Sequence, residues 1–322
     1  MHIAHALLAA ATLAMSATPV FAQQTISVAS TPQGSMSYAV ATTIAKLMNE
    51  KLGFLARVQP KGGAATIAAL NAGNTDFYLN NAAEARMAHF GAGIYEGRPH
   101  PNLMIAAMVF PLRVALAVPN DSKVKSIPQL KGLRMGNRFT SNTIIQVLQD
   151  ALLANGGLKQ SDMINRPYPN FIPAGDDMAR GRLDVAFVTP GTAAVQQQHA
   201  MLQSRGGIRF LPMDRSPDAL ARQTAIFPES FVLTLDPAPG LPGVIGPTPV
   251  MAYPHFFTVG QHVPERIVHD VVKAMHENKD ELVKGFVGFK LFDPKGMAPA
   301  TRVPYHPGAL AFYKDKGIAP AN

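Results

Sequence analysis

Two loops hold most of the side chains in this chain that can recognise a small molecule. The first is Gln33-Gly34-Ser35-Met36-Ser37-Tyr38 and the second is Arg138-Phe139-Thr140-Ser141-Asn142-Thr143. Their hydroxyls and amides both donate and accept hydrogen bonds. Arg138 adds a guanidinium, which can hold a carboxylate by two parallel hydrogen bonds. Gly63, Asn80, Asn81, Thr189 and Gly191 fall in comparable loops and join the candidate ligand-binding set. Tyr38, Phe139 and Phe171 could stack on a ligand or wall in its apolar part. The acids nearest these loops, Asp76 and Asp184, stand at strand starts, so no loop offers a buried carboxylate for an ammonium. The pattern favours a carboxylate-bearing ligand with no obligatory ammonium.

Nucleophilic chemistry has less support. The chain contains no Cys, which excludes disulfides, thiolate metal sites and thiol nucleophiles. Ser35 or Ser141 would need a His and an acid converging on it, and no G-x-S-x-G elbow is present. His255, His262, His269 and His276 recur every seven residues but run across a strand, a loop and a helix. They read as surface or helix-end residues rather than metal ligands. No catalytic residue, metal or cofactor is expected.

The loops need elements to position them. Ile26 and Val28 begin a short buried strand, and Tyr38, Val40, Ala41, Ile44, Ala45 and Leu47 recur at helical spacing after it. A small hydroxyl residue stands at the expected N-cap. The unit is strand, polar loop, helix, and the unpaired N–H groups of such a helix start face whatever lies above the strand end. The same order returns. Strands are expected at 54–59, 76–79 and 133–136, with helices at 65–72, 83–90 and 144–154. Pro111 divides an apolar stretch into two strands, Leu103–Phe110 and Arg113–Val118. Residues 70–79 echo 178–187: a helix end, a Gly, an Asp, then an apolar strand running into a polar loop. Pro and Gly crowd 228–249, a loop region. Val250–Val259 is strand-like, Glu265–Lys284 a long amphipathic helix, and Gly308–Lys316 a last helix. Alternating strands and helices mean an α/β chain with mostly parallel sheets and ligand sites at their carboxyl ends.

The first 22 residues read as an export signal, with an apolar run Ala6–Met15, Pro19 and the small-residue pattern Val20-Phe21-Ala22. About three hundred residues remain, enough for two domains. Export without disulfides suits a bacterial periplasm. The net charge of +8 is spread along the chain with no Lys/Arg block, so nucleic acid is not an expected partner.

Several stretches together resemble the extracytoplasmic solute receptors of tripartite ATP-independent periplasmic (TRAP) transporters, in the TAXI subfamily. They are the glycine-bearing first loop, the Gly62-Gly63 turn, Asn74-Thr75-Asp76-Phe77 and Ser126-Ile127-Pro128-Gln129-Leu130-Lys131-Gly132. Ser141-Asn142-Thr143 stands for the usual S-G-T, and Tyr305-His306-Pro307-Gly308-Ala309 matches the H-P-G-A ending. The resemblance implies a type II periplasmic-binding fold. One lobe would take residues 23–114 plus 256–322 and the other 115–255, with a two-strand hinge between them. It further implies a small organic acid as ligand, a fused TRAP permease as membrane partner, and a monomer. Acidic amino acids and 2-oxo-dicarboxylates are the default ligands. The chain departs from the pattern at Asn81-Ala82-Ala83, where Gln-Ser-Asp is usual, and at Ala64, where a Ser is usual. The alternatives are a ligand-sensing receptor for a signalling kinase and a secreted hydrolase or transferase.

Overall fold

The computed structural model describes residues 24–320, and the expected export signal lies outside them. The first half begins with β1 (Thr25–Ser30), α1 (Met36–Leu52), β2 (Leu55–Pro60), α2 (Gly63–Asn71), β3 (Phe77–Asn81) and α3 (Ala82–Phe90). A long strand β4 (Leu103–Pro119) leads into β5 (Arg134–Asn137), α4 (Ile144–Asn155), β6 (Ile164–Pro167) and α5 (Phe171–Ala179). Then come β7 (Ala186–Val188), α6 (Ala193–Met201), β8 (Ile208–Phe210), α7 (Pro217–Ile226) and β9 (Phe231–Leu235). A second long strand, β10 (Thr248–Gly260), returns the chain to α8 (Glu265–Glu277), α9 (Lys279–Gly285) and α10 (Pro307–Lys316). Among the described residues no helix is long and apolar enough to cross a membrane.

Two strand sets share the crossing pair. In the first, β2-β1-β3 run parallel and β3 joins β10 antiparallel. In the second, β6-β5 run parallel, a bridge between Met135 and Val185 continues toward β7, and β7 joins β4 antiparallel. The two orders match, as the echo between residues 70–79 and 178–187 suggests. The echoed aspartates also do the same job. Asp76 accepts the backbone N–H of Ser27 on β1 at 2.7 Å, and Asp184 accepts that of Arg134 on β5 at 2.8 Å. Each carboxylate ties a strand start to its parallel neighbour.

Pro111 does not divide the apolar stretch: β4 runs unbroken for 17 residues. Pro111 stands opposite Pro254 of β10, so both residues lacking an N–H share one rung, and the register shifts immediately beside it, between His255 and Phe256. A proline is tolerated in a strand where the ladder is irregular. The predicted helix Glu265–Lys284 is two helices, interrupted at Asn278 (φ −124°, ψ 41°), whose side chain turns back to donate to the Ala274 carbonyl. Ile267, Val268, Val271, Val272 and Met275 form the buried stripe of α8, which packs on α1 and α10. Part of the expected 228–249 loop is strand β9, paired along β10.

Candidate functional site

Local rules build the two sides of a cleft. Ser35 N-caps α1, accepting the Tyr38 N–H at 3.2 Å and bonding the Thr31 hydroxyl at 2.7 Å. Asn81 N-caps α3, accepting the N–H of Glu84 at 2.8 Å. Thr192 N-caps α6. These caps satisfy groups a helix start leaves bare, and they aim three helix N-termini at the space between the halves. Across that space Ala194 N–H donates to the Gly34 carbonyl at 3.4 Å. Gly63, at φ +75°, lies so close to the other half that a Cβ there would meet the Ser141 carbonyl oxygen at 2.8 Å. Only glycine suits that approach.

Beneath these contacts is a cavity lined from both halves. Thr31, Ser35, Met36, Ser37, Tyr78, Leu79, Asn81 and Glu84 come from one side, with His255. Asn142, Ile144, Ile145, Leu148, Phe171, Phe187 and Thr189 come from the other, and Leu112 and Tyr253 from the crossing strands. Its free volume is about 40 Å3, room for about three waters at the ~10–15 Å3 each requires.

The expectation that the cleft lacks an acid is corrected. Glu84 is 1% exposed and lines the cavity. Burial pushes its carboxyl up to about 7, while hydrogen bonds from the Tyr95 and Tyr78 hydroxyls pull partway back. The Tyr95 bond is 2.9 Å long. No Lys or Arg lines this cavity. Arg138, expected to hold a carboxylate, is exposed and lies outside it, with its backbone at φ +49° and its N–H on Gln146.

Asn142 is the clearest unspent recognition group. It is 1% exposed, it lines the cavity, and neither its side-chain N–H nor its side-chain oxygen has a partner. An unsatisfied buried amide costs about 1–3 kcal/mol, so its presence there favours a ligand that satisfies it.

His255 is also corrected, from a surface residue to a cavity wall. Its Nε2 meets the Ser37 hydroxyl at 2.9 Å and its Nδ1 has no partner. Burial drives its pKa down to about 3. A neutral imidazole of that weak basicity, with no acid orienting it, does not activate a serine at neutral pH. His262 bonds Asp76, His269 lies against Asp270, and His276 packs on Phe312. Among the described residues no cluster could hold a metal. His306 caps α10.

The other expected site residues disperse. Gly63, Thr140, Ser141 and Thr143 line a wider opening of about 580 Å3 on one flank of the cleft. Gly191 lines a third cavity, on the other flank of Met36. Phe139 is buried in the core and Asn80 is buried without partners for its amide, both outside these cavities. Gln33 donates to the Tyr38 hydroxyl at 3.4 Å at an exposed position, and neither residue lines these cavities. Glu84, His255, Tyr78 and Tyr253 were missed because their position depends on chain crossings. The one local signal was Glu84 three residues after a capping Asn.

Two α/β halves of matching strand order, joined by two crossing strands and enclosing a cavity, define the type II periplasmic-binding fold. A model of the NMT1-like family matches residues 28–317, and the chain belongs to that family. Solved structures share the fold at low identity. A protein described as a periplasmic transporter aligns at 16% identity and TM-score 0.56, covering 92% of this chain and 93% of its own. An ancestral arginine-binding protein bound to arginine aligns at 15% and 0.51, covering 83% and 98%. A Streptococcus mutans structure from work on glutathione import through a cystine ABC importer aligns at 14% and 0.51, covering 86% and 100%.

Proposed function

We propose that this is an exported, non-enzymatic solute-binding protein that captures a small amine-bearing organic acid and presents it to a membrane transporter. The observation that carries the reading is Glu84, the buried acid of a cavity with no cationic side chain. An ammonium is the group that best compensates a buried carboxylate. Asn142, Ser35 and the N-terminus of α1 suit the ligand's own carboxylate. The arginine bound by one similar protein accords with this class. The ligand expected from Arg138, an acid without an ammonium, has less support than an amino-acid-like one.

We take the lobes as residues 23–114 plus 256–322 and 115–255, hinged on β4 and β10. With about 40 Å3 free in the cavity, a solute is admitted only when the lobes part, and its binding then favours closure. The motif resemblance argues for a TRAP permease as partner, and the ABC importer linked to one similar structure argues for an ATP-driven one. Uptake by vesicles carrying the partner separates them: dependence on an ion gradient supports the first, dependence on ATP the second.

The test is calorimetry with amino acids and their deaminated counterparts on wild type and Glu84→Gln. We expect saturable binding of an amine-bearing solute, loss of binding by its deaminated analogue, and a 10- to 100-fold weakening in Glu84→Gln, about the worth of a charged hydrogen bond. Equal binding of amine and deaminated acid, unaffected by Glu84→Gln, overturns the reading.

A further inference from the structure

Leu112 and Arg113 are neighbours on crossing strand β4, and adjacent strand residues face opposite sides of a sheet. Leu112 lines the solute cavity, whereas Arg113 lines a separate cavity of about 280 Å3. That space is walled by Met36, Phe286, Val287 and Leu291 from the first lobe and by Gly191 and Leu241 from the middle of the chain, with Lys290 at its edge. On the ~10–15 Å3 per water used for the solute cavity it holds about 19 to 28 waters, room for a ring or short acyl chain with a carboxylate.

The charges here are unbalanced. Arg113 is half-buried, and among the described residues its guanidinium makes no ion pair or hydrogen bond. Burial lowers its pKa and no acid opposes the shift. Lys290 likewise has no ion-pair partner, and no Asp or Glu lines the cavity. Arginine at a half-desolvated site presents a planar fork suited to a carboxylate. Val287 at 60% and Leu291 at 44% exposure leave apolar surface beside that fork, as an amphipathic guest requires.

We propose that this cavity is a second site, distinct from the solute cleft, that binds a monocarboxylate with an apolar body, its carboxylate on Arg113 and its body against Phe286, Leu291 and Leu241. Because the walls come from both lobes, the guest braces the closed arrangement at the hinge.

The probes are benzoate and octanoate, titrated by calorimetry into the full chain, wild type, Arg113→Gln, Leu291→Trp and Glu84→Gln. Saturable binding of either probe is expected in wild type and in Glu84→Gln, with at least about tenfold loss in Arg113→Gln. Leu291→Trp, at an exposed rim position, blocks the cavity and loses binding even if Arg113→Gln fails to fold. No saturable binding up to about 10 mM overturns the proposal, as does binding that survives both Arg113→Gln and Leu291→Trp. Binding abolished by Glu84→Gln also overturns it, because it would place the probe in the solute cleft, whereas loss of amine binding alone in that variant bears only on the cleft.

Discussion

The β1–α1 and β5–α4 turns hold equivalent places in the two halves, yet only the second carries a buried side-chain amide with no partner. In the first, Thr31, Ser35 and the Tyr38 N–H bond one another, Ser37 meets His255, and nearby Glu84 is held by Tyr95. In the second, both amide atoms of Asn142 are unpartnered, Thr143 makes no side-chain cap, and Arg138 sits exposed in the left-handed region. A pre-bonded wall loses little freedom when a ligand docks on it. An unsatisfied one gains most when the cleft shuts on a ligand. The difference suggests an order: docking on the first lobe, then closure of the second with Asn142 as the contact that rewards it.

The largest expected effect lies on the pre-bonded side. Glu84 is raised from 4.5 to about 7, so between those values the folded state holds a proton that the unfolded state has released. Stability is therefore present below the unfolded pKa and lost as pH rises through the folded one, by on the order of 3 kcal/mol. Melting of ligand-free wild type at stepped pH should show a fall across that window, and Glu84→Gln should be flat. A flat wild-type profile would mean the carboxyl is not desolvated.

Closure is next. Gly63→Val forces a β-branched residue to φ +75° against the Ser141 carbonyl, costing about 1–2 kcal/mol or more. Small-angle scattering should show a more open molecule, and affinity for the cleft ligand should drop about tenfold. Unchanged scattering and affinity would show that the lobes do not meet at Gly63.

Asn142→Leu and Ser35→Ala should act differently on the two turns. Ser35→Ala should lower ligand-free stability by about 1 kcal/mol through loss of its cap. Asn142→Leu should leave it level or raised, while weakening ligand affinity. Loss of ligand-free stability in both variants by denaturant unfolding would erase the distinction between them.

The smallest effect concerns the echoed aspartates. The Arg134 side chain and N–H hold the Asp184 carboxyl below the usual carboxylate range. The pair contributes above the unfolded pKa of ~3.9 and fades as pH falls through the lower folded value. Asp184→Asn should cost less than about 1 kcal/mol at neutral pH, the pair being partly exposed. Urea titrations at neutral pH and near pH 3 should show the cost shrinking with acid.

Much of the scaffold was legible because its signals are local. Apolar alternation followed by a hydroxyl cap marks α1, and a Gly-Asp step before an apolar run marks both β3 and β7. Pro111 misled, since a ring that breaks an ordinary ladder is harmless where the facing residue is also proline. Arg138 is exposed in its exit loop, outside the cavity. The side chains of the cavity were the least legible. His255 looked like one member of a seven-residue series, and no sequence pattern singled out Glu84 as a cavity residue.

By itself the sequence determined the strand–loop–helix units, the hydroxyl cap of α1 and the echo between the halves, since each depends on residues within a turn or two of one another. Only the tertiary structure decided what the cleft contains. Burial of Glu84 beneath Tyr78, Tyr95 and Tyr253, and of His255 against Ser37, arises where β3 and α3 meet the returning strand β10. A charge acquires its chemistry from what excludes water around it, and here that exclusion is built by residues up to 218 positions apart.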